Sequence, residues 1–147
     1  MIKTTVENEI ALATTKGVKF VNVSSYNMFY IQEMPETYFK GKWIKGLQEV
    51  SENLLAVCVF QEAKIFMVDR SQQEIVSTID NPSKSDNIMW LELIPGFNME
   101  TMPYMILRDN VSLCTIDVKN MRTNIIFESL YELNWGLNVF HEVVRDK

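Results

Sequence analysis

Apolar and polar positions alternate along this chain in short runs, and the runs come in pairs. Glu9–Ser24 (EIALATTKGVKFVNVS), Leu54–Asp69 (LLAVCVFQEAKIFMVD) and Met102–Asp117 (MPYMILRDNVSLCTID) align without a gap, at steps of 45 and 48 residues (9 to 54, then 54 to 102). Each window is two apolar runs joined by a short polar link: Lys16-Gly17, Gln61-Glu62 and Asp109-Asn110. Period-two alternation rich in β-branched and aromatic residues predicts strands, and the links predict hairpins. Down the columns Leu12 matches Val57 and Met105, Phe20 matches Ile65 and Leu113, and Val23 matches Val68 and Ile116.

Further strands flank each hairpin. Met28–Ile31, Ile75–Ile79 and Asn124–Phe127 follow, while Ile2–Val6, Lys42–Val50 and Ile88–Ile94 precede. A tryptophan recurs near the leading strands, at Trp43, Trp90 and Trp135, and Trp135–Val144 reads as a further leading strand. The unit is therefore four antiparallel strands over about 45 residues, the size of a propeller blade. Ser129–Val143 is the best helix candidate, with Leu130, Leu133, Leu137 and Phe140 near a three-to-four spacing. Elsewhere the pattern favours strands, and no linker or low-complexity tract divides the chain.

Composition narrows the class. A chain of 147 residues at 47% hydrophobic supplies one sizeable core, which predicts a single domain over 1–147. Its 14 basic residues against 19 acidic ones give a net charge of −5, and the one dense basic group is Lys40-Gly41-Lys42-Trp43-Ile44-Lys45. That balance argues against nucleic acid as partner. No apolar run approaches the roughly 18 residues a membrane helix needs, and MIKTTVENEI has no apolar signal core, so membrane insertion is not expected. Cys58 and Cys114 lie within apolar runs and read as buried, reduced thiols, which suits the cytoplasm.

The third strand of the second and third units ends in Val68-Asp69 and Ile116-Asp117, with Val23-Ser24 as a weaker first copy. In this the chain resembles a WD40-type β-propeller over almost its whole length. The stretch Ala11–Val23, an apolar strand, a glycine turn and a second apolar strand, is also similar to citron-homology propellers. The resemblance implies an all-β partial β-propeller with about three four-stranded antiparallel blades, near 1–34, 42–80 and 87–128, and the start of a fourth at 134–147. The family's Gly-His dipeptide is missing from every copy, and the sole histidine, His141, lies outside the repeats. Propellers close with about four to eight blades, so the remaining blades are expected from another chain or from the rest of a longer protein. Open sheet edges invite such pairing.

Catalytic chemistry finds little footing. A nucleophile–histidine pair would have to use His141, Cys58 and Cys114 are too isolated for a zinc site, and no glycine-rich phosphate loop is present. Asp69 and Asp117 read as acceptors for backbone N–H groups in the turns after their strands. The Asn81–Asp86 loop (NPSKSD) reads as a surface loop that offers serines for phosphorylation. The tryptophans read first as packing between blades and second as exposed anchors for a partner. The aromatic connection Met34–Trp43 and the loop Pro95–Pro103 are the best candidates for protein contact, through Tyr38, Phe39, Lys42, Phe97 and Met99. The expected function is a protein-interaction or scaffold module without catalysis or cofactor. The alternative is a regulatory propeller segment of a larger enzyme such as a kinase.

Overall fold

The alternating runs become strands, as the pattern requires. A computed structural model of the chain describes residues 1–24, 27–34 and 36–129. The first sheet comprises β1 (Ile2–Lys3), β2 (Glu9–Thr14), β3 (Gly17–Ser24) and β4 (Asn27–Met34). A single helical turn, α1 (Glu36–Phe39), leads to the second sheet: β5 (Ile44–Ser51), β6 (Leu54–Val59), β7 (Lys64–Asp69) and β8 (Glu74–Asp80). The third holds β9 (Ile88–Leu93), β10 (Tyr104–Asp109), β11 (Ser112–Asp117) and β12 (Arg122–Glu128). Every sheet is four antiparallel strands in up-and-down order. The strand expected at Trp135–Val144, the helix candidate beyond Ser129 and His141 lie outside the described residues.

Four strands return the chain to the end where it started. The connections between sheets, described over 36–43 and 81–87, therefore lie at the end that carries the central hairpin links 15–16, 60–63 and 110–111. We call this the turn end.

The repeat holds more tightly in the later strands than in the earlier ones. The turn after Asp69 recurs after Asp117, and Gln73 (φ 58°) recurs as Met121 (φ 56°), both in left-handed conformation. Asn81 N–H donates to Ala63 O at 2.9 Å, and Ser129 N–H donates to Val111 O at 2.8 Å. The steps 69 to 117, 73 to 121 and 81 to 129 are all 48. The second strands, β2, β6 and β10, slip. Phe20 pairs with Ala11, Ile65 with Cys58 and Leu113 with Arg108, where a gapless alignment demands Ala11, Ala56 and Tyr104. Leu12, Val57 and Met105 are thus not equivalent: they pair with Lys19, Phe66 and Ile116. The slips are two and four residues. Even slips keep every side chain on its face, so the hydrophobic pattern tolerates them.

Burial explains why β6 and β7 read as nearly unbroken apolar runs. The second sheet is covered on both sides. Leu55, Val57, Val59, Phe66 and Val68 meet Ala11, Val18, Phe20, Phe39 and Ile44 in one core. The alternate residues Ala56, Cys58, Ile65 and Met67 meet Met105, Leu107, Cys114 and Ile116 in the other. Burying each large side chain stabilises the fold by about 1.5–3 kcal/mol. Gly46 permits the inner strands to approach: a Cβ there would lie 3.2 Å from Cys58 Cβ and 3.9 Å from Leu91 Cβ. Both cysteines are free and buried.

A candidate interaction surface at the turn end

The exposed chemistry gathers around Trp43, just before β5. Gly41, with φ 76°, bends the chain there and donates its N–H to Thr15 O at 2.6 Å, tying the connection to the first hairpin link. Glycine adopts that conformation at little cost. Phe60 N–H then donates to Trp43 O at 2.8 Å and fixes the second sheet's link alongside. The two rings lie 4.9 Å apart at 40°, and the Lys45 ammonium sits 5.5 Å from the Phe60 centroid. Trp43 is 65% exposed and Phe60 39%. A cleft of about 330 Å³ opens between the 14–15 segment and Gly41–Ile44. A second of about 370 Å³ shares Ala13 and Ile44 and continues along β5 toward Trp90.

This placement corrects several sequence expectations. Phe39 is fully buried in the core between the first and second sheets, because α1 turns it inward. It is not a presented anchor. Tyr38 is half-buried, packed on Phe39 and Phe66, with its hydroxyl donating to Glu62 Oε1 at 3.0 Å. Lys42 lies 3.9 Å over the Tyr38 ring and 3.4 Å from Glu62 Oε2, closing a local cluster. Phe97 and Met99 sit at the opposite end, half-buried against the core between the second and third sheets. The five residues therefore do not form one surface. Trp43 and Trp90, expected first as packing, are instead exposed, Trp90 by 38%; Trp135 lies outside the described residues. Phe60 was missed. Its signal was a large aromatic at the edge of a poor turn sequence, Phe60-Gln61-Glu62.

The aspartates divide into two kinds. Asp69 Oδ1 accepts from Gln72 N–H at 3.0 Å and Ser71 Oγ at 2.6 Å, and Asp117 Oδ1 accepts from Asn120 N–H at 3.0 Å. These are the turn acceptors the sequence predicted. Asp109 is different: it is fully buried at the turn end of β10. It accepts from Asn81 Nδ2 at 2.8 Å, Ser83 Oγ, Val111 N–H at 2.8 Å, and Ser112 N–H and Oγ at 2.6 and 2.8 Å. Burial works against its charge, but the donors, Ser83 and Asn81 foremost, outweigh it and hold the carboxyl below its usual range. The 81–86 loop is thus gripped at Asn81 and Ser83 rather than free in solvent.

At the opposite end Glu9 is buried and receives Arg70 through two bonds of 2.6 Å, while the guanidinium stacks 3.7 Å over Phe20. Burial raises the Glu9 carboxyl, yet Arg70 and the Thr4 hydroxyl lower it further, so the net shift is downward. Burial pushes the Cys58 thiol up to about 12. Among the described residues no group of three or more histidines, cysteines and carboxylates is placed to hold a metal ion, and no helix is long and apolar enough to cross a membrane.

The surface provides aromatic stacking, positive charge and two adjoining clefts. Comparison with known protein families and with curated protein sequences finds no match to this chain.

Proposed function

We propose that the three sheets are consecutive blades of a WD40-like partial β-propeller, and that the chain serves as a protein-interaction or scaffold module. The blade reading is supported by the shared up-and-down order, the 48-residue step and the proximity of the leading strands, with Gly46 of β5 close to Leu91 of β9. One observation carries the functional reading: the exposed Trp43–Phe60 pair stands on a rigid scaffold at the end where the connections between sheets gather. Solvent-exposed tryptophan is disfavoured unless it finds a partner, and Trp is enriched at binding hot spots. The module binds and does not catalyse. Another chain, or the rest of a longer protein, supplies the remaining blades. The buried reduced thiols suit a cytoplasmic setting.

Light scattering tests the assembly, and cross-linking with mass spectrometry tests the contacts. The expected result is a species larger than 17.1 kDa, with cross-links from Lys40, Lys42 or Lys45 to a second chain. A monodisperse 17.1 kDa particle without such links would remove completion by a second chain.

A further inference from the structure

The charge around Trp43 runs opposite to that of the chain. Net charge is −5, yet Lys40, Lys42 and Lys45 flank the tryptophan in sequence, and Lys16 follows Thr15, which Gly41 contacts. Lys16, Lys40 and Lys45 are exposed. Of the acids here, Glu62 is engaged by Lys42 and Tyr38, and Glu92, at the far part of the adjoining cleft, accepts from Trp90 Nε1 at 3.1 Å. The site thus presents positive charge around an aromatic platform. Beside it, the cleft of about 330 Å³ is in the range that takes one large side chain or a small ligand. The adjoining cleft follows β5, which is the edge strand of its sheet, from Ile44 to Gln48. At about 3.3 Å per residue that path matches four or five residues of extended peptide.

We infer that this trough binds an extended, acidic segment of a partner protein, with one large apolar side chain inserted between Trp43 and the 14–15 segment and carboxylates set against Lys16, Lys40 and Lys45. The inference rests on the interaction-module reading and supplies the chemistry of the partner. Single-stranded nucleic acid would also meet positive charge and a stacking ring. The site favours peptide, because its cations are lysines without the planar stacking of arginine that nucleic-acid bases exploit.

The test uses the full chain and fluorescein-labelled peptides of about twelve residues, read by fluorescence anisotropy. One peptide is rich in Glu and Asp with a single central Phe, one lacks the Phe, and one carries Lys in place of the acids; an oligo(dT) strand is the fourth probe. The acidic Phe peptide should bind best, and more weakly as salt rises from about 50 to 300 mM. Trp43→Ala should weaken it roughly ten-fold or more, and Lys16→Glu with Lys40→Glu roughly five-fold. Because all three side chains are exposed, the variants should melt like the parent, which separates lost binding from lost folding. The inference is overturned if the wild-type chain does not bind the acidic Phe peptide, if the Lys peptide or oligo(dT) binds as tightly, or if Trp43→Ala has no effect. Those failures leave the module reading standing wherever cross-links to a second chain persist; a solitary 17.1 kDa particle that still binds the acidic Phe peptide supports the inference and removes only completion by a second chain.

Discussion

The two junctions between neighbouring sheets bury similar strands with different chemistry. Between the first and second sheets the core is aromatic: Phe39 and Phe66 meet edge-on at 5.7 Å, and Phe20 lies beneath the Arg70 guanidinium. Between the second and third the core is aliphatic and sulfur-bearing, built on Ala56, Cys58, Met67, Met105, Cys114 and Ile116. Each junction also buries a carboxylate, Glu9 in one and Asp109 in the other. Glu9 is neutralised by one cation. Asp109 is solvated by neutral donors spread over two connections. A charge that depends chiefly on one cation, with a single hydroxyl beside it, is exposed to that cation's loss, whereas a charge held by several dipoles shares the risk.

Breaking the first arrangement should therefore cost most. Arg70→Met removes the guanidinium from Phe20 and leaves the Glu9 charge buried without its cation, at a cost of about 4 kcal/mol in urea unfolding. Adding Glu9→Gln should recover much of that loss, and a double mutant no better than the single would show that the ion pair is not the cause. Asp109→Asn, which replaces an acceptor oxygen with a donor facing Asn81 and Ser112, should cost about 3 kcal/mol, and Ser83→Ala only about 1 kcal/mol. Equal losses for these last two would contradict shared solvation.

Acid sharpens the comparison next. Both carboxyls are lowered in the folded protein, so each contributes stability that is complete above its unfolded value, near 4, and lost as pH falls through the lower folded value. Stability should fall below about pH 4, and less steeply in Asp109→Asn, where one of the lowered carboxyls no longer titrates. A variant as acid-sensitive as the parent would place the proton uptake elsewhere. The mildest effect is chemical. With its thiol raised to about 12, Cys58 should react with a disulfide reagent at pH 8 about a thousand-fold more slowly than free cysteine. Rapid labelling in the native protein would mean that this junction opens readily.

The strands were legible because a half-buried sheet imposes period two, and the two-sided burial of β6 and β7 showed as unbroken apolar runs. Asp69 and Asp117 were legible because each turn is local, closed within three residues of its own aspartate. The register of the second strands was not, because a slip of two or four residues leaves the pattern of faces unchanged. Asp109 looked like an ordinary turn residue. Its partners Asn81 and Ser83 stand 28 and 26 positions away, and no local rule reaches that far.

Alternation and turn chemistry by themselves determined where the strands run and which residues share a face, since those forces act between neighbours in the chain. Only the tertiary arrangement decided what faces water. It turned Phe39 inward through one helical turn, left Trp43 out beside Phe60, and set Tyr38 under Lys42. Exposure depends on which sheet lies against which, and that is settled by packing between segments distant in sequence.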